Sequence, residues 1–364
     1  MGRDRLRALR DAMRSEGVDL LALGPGAHMR WLLGFEPHGD ERLLLLLVTA
    51  DGAGFVMPAL EADSAGRFTT LPMRLWTDAE GPGGALDAVL GALRATGARK
   101  VAVDETMRAD FALTLLDRLP GVERVFAEST IGRLRMLKDA AERAALKRSS
   151  DLADKAVRAA MAAMRPGVTE AEIARVVEDT FARAGATTLF TIIGAGPNGA
   201  FPHHQTGDTP LRAGDAVVLD IGARLDGAPS DITRMAIIGE KPAGYDEIHA
   251  IVEGAVLAGL AAARPGALAR EVDEAARGHI AAHGYGDFFL HRTGHGLGVE
   301  VHEPPYVTGS SETVLEEGMV FSIEPGIYLP GRFGIRLEEI VYLTGAGAER
   351  FSDLPRAAVL VTGD

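Results

Sequence analysis

Four acidic side chains of this 364-residue chain occupy apolar segments, where a core residue would normally stand. Asp220 lies between a leucine and an isoleucine, and Asp231 follows eleven positions later, after a glycine-containing turn. Glu324 comes after an apolar run, and Glu338 interrupts another. Burying a carboxylate is costly unless its charge is compensated. A bound divalent cation would provide that compensation.

One histidine has a sequence context that suits metal binding. His295 lies between two glycines, where the backbone can come close to a ligand and the imidazole is not shielded. The chain contains no cysteine, so any metal must be held by carboxylates and imidazoles. The four acids and this imidazole form a hard ligand set that could hold two divalent ions, and such ions lower the pKa of a water molecule.

These residues also have ordinary interpretations. A single acid in a strand is more often an edge residue or a salt-bridge partner than a metal ligand, and most histidines are surface or satisfied interior residues. Residue types and spacing alone therefore leave two equal alternatives, a dinuclear metal site and a set of ion-paired structural acids.

Composition excludes several classes of function. The net charge of −13 argues against a nucleic-acid partner, since phosphate binding needs a basic face. The N-terminal segment carries charges throughout and lacks the apolar core of a signal peptide. The longest apolar run, residues 43–49, is too short to span a bilayer. We therefore expect a cytoplasmic protein without a nucleic-acid or membrane partner.

The elements that must position these residues indicate an α/β protein with two domains. A basic segment at 129–139 precedes a long alanine-rich helix, and the predicted domains are residues 1–132 and 133–364. Asp220 and Asp231 are expected in a β-hairpin. Helices are predicted at 3–16, 86–96, 108–119, 140–164, 169–184, 245–263 and 268–283. Strands are predicted at 20–23, 43–48, 54–57, 100–104, 122–126, 319–323 and 335–342.

Several motifs together resemble the pita-bread metallopeptidases, the family of Xaa-Pro aminopeptidases, prolidases and methionine aminopeptidases. They are the two aspartates eleven residues apart, GHG at 294–296, EPG at 324–326 and RLE at 336–338. Residues 1–35 are similar to the N-terminal domain of creatinases and prolidases, and 134–142 to its junction with the next domain. The resemblance implies a creatinase-like N-terminal α/β domain followed by a pita-bread catalytic domain.

A two-metal site is part of what this resemblance implies. The implied ligands are Asp220, Asp231, His295, Glu324 and Glu338. Asp220 would hold one ion, and His295 with Glu324 the other. Asp231 and Glu338 would bridge the two ions. Mn²⁺ is the expected ion, with Co²⁺ or Zn²⁺ as alternatives.

The same resemblance assigns catalytic or substrate-binding roles to further side chains. Glu324 would also carry a proton to the leaving nitrogen. His203 would contact the substrate, and His302 would steady the tetrahedral intermediate. Arg336 would brace the site, with Asp231 as its expected partner, and His291 would support the ligands from outside.

Two departures from the family pattern concern the substrate. Ala228 and Pro229 stand in the hairpin where a tyrosine is common, which alters the pocket wall. Tyr306 stands where some prolidases carry an arginine that binds the free carboxylate of a dipeptide. We therefore expect an Xaa-Pro aminopeptidase that accepts longer peptides, with a dipeptide-restricted prolidase as the alternative. A methionine aminopeptidase or a non-catalytic binding module is less favoured, and the resemblance implies a homodimer.

Overall fold

The computed structural model describes residues 2–362. The chain divides into two compact units, Met1–Arg135 and Met136–Asp364. Both units combine helices and strands, which confirms the mixed α/β architecture predicted from the sequence. Among residues 2–362, no helix is both long enough and apolar enough to cross a membrane.

The N-terminal unit is built on a six-stranded sheet. Its strands are β1 (Leu20–Leu23), β2 (Leu45–Val48), β3 (Ala53–Pro58), β4 (Met73–Trp76), β5 (Lys100–Val103) and β6 (Glu123–Phe126). The helices up to residue 136 are α1 (Gly2–Ser15), α2 (Ala27–Leu33), α3 (Ala62–Ala65), α4 (Gly83–Ala92), α5 (Ala109–Leu116) and α6 (Ile131–Met136). The strand order is β4-β3-β2-β1-β5-β6, and apolar residues of α4 and α5 pack on this sheet.

The C-terminal unit holds four long helices and several short sheets. The helices are α7 (Ala140–Ala163), α8 (Glu170–Arg183), α9 (Tyr245–Ala262) and α10 (Ala269–Ala282). The first strands are β7 (Thr187–Ala195), β8 (Ala216–Leu225), β9 (Ala228–Pro229) and β10 (Ile232–Ile238). The later strands are β11 (Gly294–Gly296), β12 (Glu303–Val307), β13 (Val320–Ile323), β14 (Gly326–Leu329), β15 (Phe333–Arg336), β16 (Glu339–Thr344), β17 (Gly347–Arg350) and β18 (Val359–Val361).

Three sheets of this unit bring distant parts of the chain together. One has the order β18-β10-β8-β7, with β9 paired to β8, and a second has the order β12-β11-β13-β16-β17. β14 and β15 form a separate hairpin. The pairing of β8 with β10 is antiparallel, as expected for the hairpin that carries the two aspartates.

Strand β8 is buried on both faces. Val217, Leu219 and Ile221 pack with residues of α7 and α8, whereas Val218 packs with residues of α9 and α10. Successive side chains of a strand point to opposite faces, so Asp220 shares the face of Val218. The apolar run around Asp220 thus results from burial of both faces of one strand.

Side-chain caps set the starts of the two helices that cover this sheet. Asp139 accepts hydrogen bonds from backbone N–H groups at the start of α7, and Glu142 reciprocates. Thr169 and Glu172 form the same capping box at α8. Both helices therefore begin where the sequence predicts a start.

Some elements differ from the sequence-based prediction. Glu338 was expected inside a strand, but it lies in the break between β15 and β16. Helix α2 and strand β4 were not predicted, since α2 has seven residues and β4 exposes most of its short length. Both are too short for a periodic pattern to stand out.

The packing of helix α8 against the sheet can be tested by substitution. Phe181 is fully buried between α8 and the sheet, so Phe181→Ala should lower the free energy of unfolding by about 3–5 kcal/mol. Leu257, which is half exposed on α9, is the matched control, and Leu257→Ala should change it by no more than about 0.5 kcal/mol. Denaturant unfolding measures both values. Equal effects of the two substitutions would contradict the described core.

Candidate metal centre

Two of the predicted ligands come from neighbouring strands. Asp220 lies in the middle of β8, opposite Thr233 of β10, and Asp231 immediately precedes β10. Both carboxylates are buried. The antiparallel register thus brings together two acids that are eleven residues apart in the chain.

The other three ligands come from the second sheet and from its connection to the β14–β15 hairpin. His295 is the central residue of β11, and Glu324 directly follows β13. A Cβ atom on Gly294 would lie 1.9 Å from the carbonyl oxygen of Ser322, and one on Gly296 would lie 2.2 Å from a carbonyl oxygen of β12. The glycines around His295 therefore allow three strands to pack closely, in addition to leaving its imidazole accessible.

The five side chains converge into two overlapping groups of potential ligands. Ligand atoms of Asp220, Asp231 and Glu338 all lie within 4.8 Å of one another. Those of His295, Glu324 and Glu338 satisfy the same criterion. Glu338 belongs to both groups, so the arrangement has the donors for two adjacent cations with a shared carboxylate.

Hydrogen bonds orient the individual donors. His295 Nδ1 lies 3.1 Å from the carbonyl oxygen of Gly296, so Nδ1–H donates there and Nε2 is left facing the acids. Nε2 lies 3.1 Å from Glu324 Oε1 and 3.6 Å from Asp231 Oδ2. Glu338 Oε2 accepts from Thr233 Oγ1 at 3.0 Å, whereas its Oε1 is buried without a hydrogen-bond partner among the residues that the structure describes.

The electrostatics show that the protein alone does not balance these charges. Burial and the neighbouring charge of Glu338 raise the pKa of Asp231 well above its usual range. Burial and the charge of Glu324 likewise raise the pKa of Glu338 well above its usual range. Burial also acts on Glu324, but its hydrogen bond and charge interaction with His295 lower its pKa to about 2. An unpartnered oxygen and hard, mutually repelling donors are the chemistry that divalent cations stabilise.

Arg336 is the main cationic side chain of the site, and it pairs with a different acid than the one predicted. Its Nη2 donates to Asp220 Oδ2, whereas Asp231 was the expected partner. Its Nη1 donates to the hydroxyl of Tyr328 at 2.7 Å, and its Nε donates to Thr233 Oγ1 at 3.1 Å. Arg336 is the last residue of β15, and Asp220 lies on β8. The side chains of these two strands meet in the hydrogen bond between Arg336 and Asp220.

A cavity of about 620 Å³ opens onto these donors. Its apolar lining residues are Leu189, Phe190, Ile192, Pro202 and Val301. Its polar lining residues are His203, His291, Arg292 and His302, together with Asp220, Asp231, His295, Glu324 and Arg336. The structure therefore brings the predicted ligands and the predicted catalytic histidines to one cavity, and Glu338 lies buried behind them.

Burial favours the neutral form of two histidines that line the cavity. Burial lowers the pKa of His291 to about 4, and its Nε2 lies 2.7 Å from the Tyr328 hydroxyl. Burial, followed by the charge of His295, lowers the pKa of His302 to about 4. The rings of His302 and His295 meet edge to face, 4.0 Å between centroids. At neutral pH both imidazoles can therefore give or accept a hydrogen bond without adding charge.

Sequence reasoning missed three side chains that contact these residues. Tyr328 bridges Arg336 and His291, and Thr233 bridges Arg336 and Glu338. Arg292 lines the cavity with its guanidinium carbon 4.7 Å from the ring centroid of Tyr306. Tyr328 and Thr233 carried no signal in the sequence, but Arg292 stands three residues before His295 and could have been noticed.

The N-terminal unit contains another group of potential ligands, formed by His28, Asp104 and Glu105. Its histidine is engaged on both ring nitrogens. Nε2 lies 2.9 Å from Glu105 Oε1, and Nδ1 lies 3.1 Å from Arg135 Nη1. A cation at this position would meet the positive charge of Arg135, so this group is an internal ion network.

Two family models match separate parts of the chain. The creatinase/prolidase N-terminal domain model matches residues 5–137, and the metallopeptidase family M24 model matches residues 144–345. A probable dipeptidase PepE of Mycobacterium bovis is 38% identical over 364 residues, which cover 98% of this chain and 96% of that protein.

Solved structures extend the likeness to the fold. Recombinant prolidase from Thermococcus sibiricus has a TM-score of 0.91 and 32% identity, with 99% of each chain covered. X-Pro aminopeptidase from Thermotoga maritima has a TM-score of 0.80 and 29% identity, with 96% of this chain and all of that chain covered. These findings confirm the resemblance to the pita-bread metallopeptidases, and the chain belongs to metallopeptidase family M24, with a creatinase/prolidase N-terminal domain.

Proposed function

We propose that this metallopeptidase hydrolyses the peptide bond between an N-terminal residue and proline. The observation that carries the proposal is the pair of ligand groups that share Glu338 beside a cavity with neutral histidines. The proteins similar to this chain include a dipeptidase, a prolidase and an X-Pro aminopeptidase, which supports proline-containing peptides as the substrate class.

The donor set suits two divalent cations. Asp220, Asp231 and Glu338 would hold one ion, and His295, Glu324 and Glu338 the other, with Asp231 close enough to reach both. Such ions supply Lewis acidity and lower the pKa of a water molecule, the nucleophile that hydrolysis requires. Mn²⁺ is our proposed ion because the set is rich in carboxylates and contains a single imidazole.

The remaining side chains have distinct tasks. Glu324, oriented by a hydrogen bond of 2.9 Å from Ser322 Oγ, is positioned to transfer a proton to the leaving nitrogen. His302 and His203 face the cavity, where they can donate to the polarised carbonyl and hold the substrate backbone. Arg336 keeps Asp220 in place through their shared hydrogen bond.

The apolar lining residues of the cavity suit a pyrrolidine ring. Phe190, Ile192 and Val301 present aliphatic and aromatic surface next to the potential ligands. A proline side chain has no hydrogen-bond donor, and its transfer from water to an apolar surface lowers the free energy. This apolar lining therefore supports a preference for proline after the scissile bond.

Arg292 bears on the length of the substrate. Tyr306 replaces the arginine expected of a dipeptide-binding enzyme, but the structure places the guanidinium of Arg292 over its ring. Among residues 2–362, Arg292 has no carboxylate as an ion-pair partner. A cation is thus present to bind the terminal carboxylate of a dipeptide. We propose that the enzyme cleaves dipeptides as well as the longer Xaa-Pro peptides favoured by its sequence.

The assembly and location of the enzyme are further proposals. A homodimer and a cytoplasmic location are supported by the resemblance to the family. Light scattering on the purified protein would decide the oligomeric state.

Metal content tests the shared carboxylate. Protein stripped with a chelator and reloaded with Mn²⁺ should bind about two ions per chain and melt at a higher temperature than the stripped protein. Glu338→Gln should lose metal from both groups, whereas Glu349→Gln, on the surface, should bind as the unaltered chain does. Atomic emission spectroscopy measures the content. Less than one ion per reloaded chain would contradict the proposed centre.

Activity tests the reaction. The Mn²⁺-loaded enzyme should release alanine from Ala-Pro and Ala-Pro-Pro, and should act weakly on Ala-Ala. Glu324→Gln removes the proton-transferring group, so kcat should fall by at least about 10²-fold. Glu312→Gln, an exposed control, should leave kcat unchanged. Loss of every Xaa-Pro activity in metal-loaded wild-type protein would refute the proposed function.

Substrate length tests Arg292. Arg292→Met should raise KM for Ala-Pro by about tenfold or more, because one charge-assisted hydrogen bond is lost, and should leave KM for Ala-Pro amide nearly unchanged. Arg332, which stacks on Phe333 outside the cavity, offers the matched control Arg332→Met. The assignment is wrong if Arg292→Met affects the acid and the amide equally.

A further inference from the structure

One fully buried carboxylate of the C-terminal unit lies outside the cavity, at the first residue of α8. Glu170 has none of its surface exposed. A helix start does not require it, because Thr169 and Glu172 already complete the capping box. Burying a charge is costly, so its hydrogen-bond partners should reveal what it does.

The partners of Glu170 all come from the connection that follows β7 or from the last residue of that strand. Its Oε1 accepts from the backbone N–H of Ala195 at 2.8 Å and from Asn198 Nδ2 at 2.9 Å. Its Oε2 accepts from His204 Nε2 at 2.8 Å and from the N–H of Gly207 at 3.3 Å. One side chain thus accepts four hydrogen bonds from both ends of a single connection, which also contains a short 3₁₀ helix at Gly196–Ala200.

That loop carries His203 into the cavity. His203 lines the cavity, and the next residue, His204, turns the other way to reach Glu170. On the cavity side, the carbonyl oxygen of Pro202 lies 3.5 Å from Arg336 Nη1. The backbone of His203 is therefore held between a contact to the site and a contact to a buried acid.

We propose that Glu170 and His204 form a latch that positions His203 for contact with the substrate. Glu170 touches neither the cavity nor the potential metal ligands, so it is a positioning residue that acts through His203. The effect of this latch on catalysis rests on the proposed function. The placement of the loop, by contrast, does not depend on which substrate is cleaved.

The kinetic test is a double-mutant cycle. Glu170→Gln turns an acceptor oxygen into an N–H group that faces other donors, so kcat/KM for Ala-Pro should fall by about tenfold. In the His203→Ala background, Glu170→Gln should cause no further loss, because the residue it positions is gone. Equal losses in both backgrounds would overturn the proposal. Glu172→Gln is the matched control at the same helix start and should leave kcat/KM unchanged.

A second arm covers the case in which Glu170→Gln fails to fold. His204 is only partly buried, and His204→Ala should reproduce the tenfold loss while His204→Gln, which keeps a donor, should restore most of it. Absence of any loss in His204→Ala would overturn the latch.

A structural readout separates this proposal from the proposed function. Hydrogen–deuterium exchange at residues 195–207 should be faster in His204→Ala or Glu170→Gln than in the unaltered protein, and unchanged in Glu172→Gln. If wild-type protein cleaves no Xaa-Pro peptide, the proposed function fails while the exchange still decides the latch. Unaltered exchange in this loop would overturn it.

Discussion

The structure depends on holding four carboxylates together in a buried site that contains too little positive charge for them. Arg336 reaches Asp220, and His295 contacts Asp231 and Glu324. Burial and mutual repulsion would otherwise favour protonated acids, as the raised pKa values of Asp231 and Glu338 show. Divalent cations would remove this cost in the folded state alone, so cation binding and the stability of the C-terminal unit are coupled.

Buried acids elsewhere in the same unit show that the chain can supply partner cations where it needs them. Glu339 is fully buried and lies within 3.1 Å of Arg234 and 2.9 Å of Arg356. Within residues 2–362, the side chain of Glu338, the preceding residue, accepts a hydrogen bond only from the hydroxyl of Thr233. Two consecutive glutamates on opposite sides of one backbone thus have opposite electrostatic environments. The missing arginine or lysine partner of Glu338, among the described residues, is therefore specific to this site, because other buried acids of the C-terminal unit do have such partners.

The sequence predicted most helices. The acids in apolar runs and the glycine-flanked histidine left a metal site and structural acids as equal alternatives, and only the resemblance to the family implied the five donors that converge in the structure. Catalytic roles stay predictions. The partner of Arg336 could not be predicted, since Asp220 lies on β8 and Asp231 immediately before the adjacent strand β10, and only the register of the two strands decides which acid is reached. Glu170 was also invisible as a functional residue, because its four partners lie 25 or more positions away and its own helix start gives it an ordinary explanation.

The predicted ligands and the histidines proposed to contact the substrate are held by different kinds of interaction. His295 is positioned by close packing of strands, which glycine permits and any larger residue would disrupt. His203 and His302 lie on connections, and those connections are held by buried acids: Glu170 for the first, and Glu303, paired with a buried lysine at 2.8 Å, for the second. Strand packing is insensitive to exchange of single polar groups, whereas a hydrogen-bonded loop is not. Substitutions around these two acids can therefore displace His203 and His302 while the potential metal ligands keep their places.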